Sequence, residues 1–122
     1  MSKKQLLIVD DQPHVLRVIK MSLEKKGYAV DMANNGKIAL GRLREKSYDV
    51  MITDIQMPVM DGQELVETMH KELEGEKPFT FVNTAKADET LRTWAATFPN
   101  TELIEKPISL RRLMDRLAII FS

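Results

Sequence analysis

No cysteine occurs anywhere in the 122 residues. The chain therefore has no disulfide framework, no thiolate metal site and no cysteine nucleophile, a composition that fits the cytoplasm. Net charge is absent too, with eighteen Lys plus Arg against eighteen Asp plus Glu. Without a global field, neither direct nucleic-acid binding nor attraction to an anionic membrane is expected. Long hydrophobic runs are also missing. The N-terminus, MSKKQLLIVDD, sets basic residues before an apolar run that stops on aspartates after four residues. That run is too short for a signal peptide or a membrane span. Low-complexity stretches, internal repeats and linkers are not found either. A single domain over residues 1–122 is expected, with no output domain in this chain, and at this length about two-thirds of the unfolded surface can be buried.

What is present is an alternation of apolar runs of strand length with amphipathic stretches of helical period. Leu6 to Val9 predicts a strand buried on both faces. Pro13 suits the first turn of a helix with Val15, Val18, Ile19 and Leu23 on one stripe, stopped at Gly27. A strand is predicted over Tyr28 to Ala33, a helix over Gly36 to Lys46 with Ile38, Leu40 and Leu43, and a strand over Val50 to Thr53. Asp61 starts a helix carrying Leu65, Val66, Met69 and Leu73. Phe79 to Asn83 reads as a strand, followed by a helix from about Asp88 with Leu91, Trp94, Ala95 and Phe98. Leu103 to Glu105 is a short strand, and Ser109 can cap a last helix with Leu110, Leu113, Met114, Leu117 and Ile120. Five βα units imply a parallel sheet with helices on both faces, joined by right-handed crossovers.

Ligands of such open sheets sit outside the carboxyl ends of the strands. The residues there are Asp10 and Asp11, Asp54, Thr84 and Lys106. Three carboxylates converging at one edge repel one another unless a cation neutralises them, and a hard divalent ion such as Mg²⁺ suits one or two carboxylates, a carbonyl and several waters. A metal beside an accessible carboxylate, an ammonium and a hydroxyl makes a pocket for a phosphoryl group, with Asp54 as the acceptor forming an acyl phosphate.

At these residues the sequence resembles the receiver domain of two-component response regulators. VDDQP at 9–13, TDIQMPVMDG at 53–62, NTA at 83–85 and EKP at 105–107 fall in that family's order across the whole chain. Each piece is weak alone, but four in register at successive strand ends are specific. The resemblance implies a flavodoxin-like, doubly wound (βα)5 three-layer α/β fold with strand order 2-1-3-4-5. It makes Asp54 the phosphoacceptor, with Asp11 and Asp54 binding Mg²⁺ directly, Asp10 acting largely through water and Gln56 adding its backbone carbonyl. Thr84 and Lys106 would meet the phosphoryl group, and a cis bond before Pro107 would turn Lys106 into the site. Gly62 would permit backbone angles that other residues resist.

The implied activity is transfer of a phosphoryl group from a phosphohistidine of a sensor histidine kinase or phosphotransfer protein onto Asp54. Binding of a downstream protein at the face of the fourth helix, fifth strand and fifth helix would then change. Such a module catalyses its own phosphorylation and slow dephosphorylation, without turnover of an independent substrate. One departure is Leu103, where many relatives carry an aromatic residue that swings inward on activation; a leucine, expected to stay buried, cannot report in that way. Pro99 and Asn100 replace a glycine-containing turn before the fifth strand.

Blander readings stand beside these. An Asp pair after a strand can be a solvated helix cap, Thr84 can cap the fourth helix, and Lys106 can be a surface charge. His14 and His70 read as surface residues, Trp94 as a core or partner contact, and Arg111, Arg112 and Arg116 as the solvated face of the last helix. Two other functions compete. A haloacid-dehalogenase-like phosphatase would need a second carboxylate two residues beyond Asp54, which TDIQM lacks. A receiver-like interaction module would keep the site but never cycle.

Overall fold

The computed structural model describes residues 3–122. Five strands, β1 (Gln5–Val9), β2 (Ala29–Ala33), β3 (Val50–Asp54), β4 (Phe79–Thr84) and β5 (Thr101–Glu105), alternate with five helices. These are α1 (Pro13–Lys25), α2 (Gly36–Glu45), α3 (Gly62–Glu72), α4 (Glu89–Ala96) and α5 (Leu110–Ile120). The strands form one parallel sheet in the order β2-β1-β3-β4-β5. Among the described residues no helix is long and apolar enough to cross a membrane.

Alternation along the strands divides the core in two. Leu6, Ile8, Val50, Ile52 and Phe81 face Leu16, Ile19 and Leu23 of α1 and Leu113 and Leu117 of α5. Leu7, Val9, Met51 and Val82 face Ala39 and Leu40 of α2 and Leu65, Val66 and Met69 of α3, with Trp94 of α4 packed alongside. Burying each such leucine contributes about 1.5–3 kcal/mol. Both sheet faces are covered, which is why β1 and β3 read as unbroken apolar runs.

Local signals explain the boundaries. Pro13 opens α1, Lys26 is its C-cap, and Gly27 follows at φ +96°. Asn35, Asp61, Asp88 and Ser109 cap α2, α3, α4 and α5, each side chain accepting a backbone N–H three residues on. Asn100 turns the chain at φ +50° into β5. Some expectations need correcting. Val18 is 55% exposed, because Leu16, Ile19 and Leu23 form the inward stripe and Val18 lies off it. Ile38 is likewise exposed, since α2 rests on Gly36, Ala39 and Leu40. Helix α4 ends before Phe98, and β5 begins two residues earlier than predicted.

Candidate functional site

The carboxyl edge of the sheet gathers three carboxylates. Ligand-capable oxygens of Asp10, Asp11 and Asp54 all lie within 4.8 Å of one another. Asp10 and Asp54 are buried and Asp11 is exposed. Each position follows from its strand: β1 ends at Val9 and delivers the Asp pair, while Asp54 is the last residue of the fully buried β3. Burial pushes the Asp10 carboxyl above its ordinary value, opposed by the Gln12 N–H; Asp54 and Asp11 push it up further, while Lys106 pulls it down. The Gln12 N–H reaches Asp10 Oδ1 at 2.9 Å.

Asp54 is held from two sides. The Ile55 N–H donates to its Oδ1 at 2.8 Å, and the Lys106 ammonium meets the same oxygen at 2.9 Å. Among the described residues Oδ2 has no such partner. The Lys106–Pro107 peptide is cis, and the Lys106 N–H donates to the Thr84 carbonyl at 2.7 Å. Lys106 is thus ion-paired with Asp54 and not a free surface charge. Thr84 is buried at the end of β4. Its hydroxyl is engaged with the Lys86 backbone at 3.3 Å and does not bond Asp54. It does not cap α4 either, because Asp88 does. Gln56 is exposed on the loop after β3, and with Thr84, Met57 and Asp61 it lines an open cleft of ≈ 490 Å³ between that loop and the start of α4.

Gly62 corrects an expectation. Its φ is not positive; a Cβ there would strike the Asp54 carbonyl oxygen and Ile55 Cα. Close approach to Asp54, and not backbone freedom, requires the glycine. The left-handed residue of this loop is Val59, at φ +71°. Asn83, the first residue of the NTA motif and given no role by it, is buried beside Asp54.

Away from the edge, His70 is not a surface residue. Its ring stacks on Phe98 at 4.9 Å, its Nε2 is buried without a partner among the described residues, and burial, then Lys77, lowers its pKa. His14 is exposed. Trp94 is half-buried, donating its indole N–H to Glu67 at 3.1 Å. Arg116 is partly exposed and also pairs with Glu102 and lies over the Phe79 ring. Arg111 and Arg112 are exposed.

Residues 6–118 match the response regulator receiver domain. The chain belongs to that family. Response regulator SaeR of Staphylococcus epidermidis is 37% identical over 111 residues, covering 91% of this chain and 47% of that protein. Transcriptional regulatory protein ResD of Bacillus subtilis is 32% identical over 118 residues, covering 95% of this chain and 47% of the relative. The receiver domain thus spans about half the length of the curated relatives it matches. In fold it is similar to chemotaxis protein CheY4 of Vibrio cholerae, with a TM-score of 0.88 at 24% identity over 98% of this chain and 99% of the other. Receiver domains of two-component systems are phosphorylated on an aspartate, bind Mg²⁺ at the acidic pocket and interact with sensor histidine kinases and downstream effectors. The hydrolase and non-cycling alternatives are not favoured by the match.

Proposed function

We propose that this receiver domain accepts a phosphoryl group on Asp54, with Thr84 and Lys106 serving the transferred group. The observation that carries the reading is the asymmetry at Asp54: Oδ1 is occupied by the Ile55 N–H and the Lys106 ammonium, while Oδ2 has no protein donor among the described residues. Oδ2 is the open nucleophile. It attacks phosphorus, a new oxygen–phosphorus bond forms as the bond to the donor nitrogen of a phosphohistidine breaks, and the electron pair leaves with the imidazole, which takes up a proton. Lys106 holds the carboxylate in place and offers its remaining N–H donors to the phosphoryl oxygens, while Thr84 exchanges its Lys86 contacts for one of them.

The donor set fits Mg²⁺: three carboxylates with oxygens within 4.8 Å, two of them buried and lacking a compensating charge other than Lys106. Asp11 and Asp54 would hold the ion directly, Asp10 through water, and Gln56 through its carbonyl. Mg²⁺, when bound, supplies the positive charge that offsets the carboxylates against an incoming phosphoryl group. The donor is a sensor histidine kinase or histidine phosphotransfer protein. The downstream protein partner binds at α4, β5 and α5, the reading includes no direct contact with nucleic acid or membrane, and the domain works in the cytoplasm. Residues 1–122 act as one receiver unit.

Incubation with acetyl phosphate and Mg²⁺ is expected to add one phosphate by intact-protein mass spectrometry, and chelation to abolish it. Equal labelling of wild type and Asp54→Ala would defeat the assignment.

A further inference from the structure

One polar side chain stands where the core takes apolar ones. On the α1 and α5 side of the sheet, Ile8, Ile52, Phe81 and Ile104 share one cluster. In the row nearest the carboxyl edge Asp54 of β3 is paired with Asn83 of β4, and Asn83 with Ile104 of β5. Registered neighbours in a parallel sheet project to the same face, so Asn83 lies on the face of Asp54. It is 6% exposed. Its carboxamide oxygen is buried and, among the described residues, has no hydrogen-bond partner. Buried polar atoms are so regularly paired that this one calls for a donor.

Lys106 brings a donor to that row, though the Asn83 oxygen takes no bond from it in this structure. Its backbone is tied to the end of β4 through the Thr84 carbonyl, and its ammonium meets Asp54 on β3. Since β4 lies between β5 and β3 and Lys106 directly follows β5, the lysine stem crosses the end of β4 to reach Asp54. An ammonium has three N–H donors, and Asp54 Oδ1 takes one.

We propose that Asn83 is a positioning residue for Lys106: its buried carboxamide oxygen is a second, uncharged acceptor that keeps the ammonium over β4 as the charge at Asp54 changes. The inference rests on the reading of Asp54 as acceptor and Lys106 as its cation. In the unmodified state the ion pair with Asp54 holds the ammonium. Once Asp54 is a mixed anhydride, its oxygen is a poorer partner and the ammonium turns to the phosphoryl oxygens. A neutral acceptor beneath the stem limits how far it travels without competing for the charge.

The test compares Asn83→Leu, which removes the acceptor, with Asn83→Thr, which keeps an oxygen. Acetyl phosphate labelling in Mg²⁺ is expected to be about tenfold slower in Asn83→Leu and within about threefold of wild type in Asn83→Thr. The loss should vanish in a Lys106→Met background. A second readout is the Lys106 ammonium ¹⁵N–¹H signal of the Mg²⁺–beryllofluoride complex, expected in wild type and Asn83→Thr and broadened in Asn83→Leu. Wild-type rate and signal in a folded Asn83→Leu would overturn the inference, as would Asn83→Thr behaving like Asn83→Leu should the leucine variant not fold. A wild type left unlabelled would instead defeat the acceptor reading, whereas a labelled wild type matched by a folded Asn83→Leu would defeat the role of Asn83 alone.

Discussion

Asp10 pays for the site in stability. Its carboxylate is buried against two others, and the fold tolerates the charge through one backbone N–H and the more distant Lys106. Asp10→Asn keeps an oxygen for the Gln12 N–H and removes the buried charge. In chelator at neutral pH its urea midpoint should therefore lie above wild type, and a lower midpoint would mean the charge itself is structural. His70 carries the opposite lesson, far from the edge. Burial holds its folded pKa below the ordinary value of 6.5, so the unfolded chain takes the proton first as pH falls. The stability it contributes is complete above that ordinary value and is lost on acidification through the folded pKa. Urea midpoints measured from pH 7.5 to 5 should drop more steeply in wild type than in His70→Phe; parallel curves would refute the assignment.

The elements were largely legible, and where they were not the reason is physical. Gly27 and Gly62 look alike in sequence but do different work. Gly27→Ala meets no atom within 4 Å and pays only for its positive φ, about 1 kcal/mol, with labelling of Asp54 unchanged. Gly62→Ala drives a methyl group into the Asp54 carbonyl; the expected cost is about 1–3 kcal/mol together with slower labelling. Equal effects in urea unfolding and labelling would mean that the contact at Asp54 is unimportant. Helical period found every helix, but counting only large residues misplaced the α2 stripe, since Gly36 and Ala39 mark the buried side. The start of β5 was hidden because Thr101 and Glu102 are polar, which an edge strand paired on one side tolerates. The acidic edge was readable because strand ends are fixed by the apolar runs before them. The Gly62 approach, the Ile55 N–H and the Asn83 carboxamide depend on distances across the sheet, which no local pattern encodes.

At the scale of the molecule, the proposed function has a change at Asp54 reach the α4 and β5 side through Thr84 and Lys106. Leu103 was expected to be buried and is half-buried, packed like Trp94 and Phe98 against the α2 and α3 side of the core, beside an open cleft of ≈ 390 Å³ between α4 and β5. A leucine there has room in either state. Activation should then show as backbone movement near residues 84–87, with Leu103 a passive contact. Leu103→Ala is expected to cost about 1–2 kcal/mol, below the range for a fully buried leucine. The beryllofluoride-induced amide shifts at residues 84–87 should persist in it, and their loss in a folded variant would make Leu103 the switch. The central claim is that Asp54 carries the phosphoryl group, and its most direct measurement traps the acyl phosphate chemically. After acetyl phosphate and Mg²⁺, borohydride reduction converts a phosphorylated aspartate to homoserine, and peptide mass spectrometry locates it. Homoserine at position 54 alone, absent after chelation, is the expected result; homoserine at position 10 or 11, or at none of the three in a protein that has gained phosphate, would contradict the account.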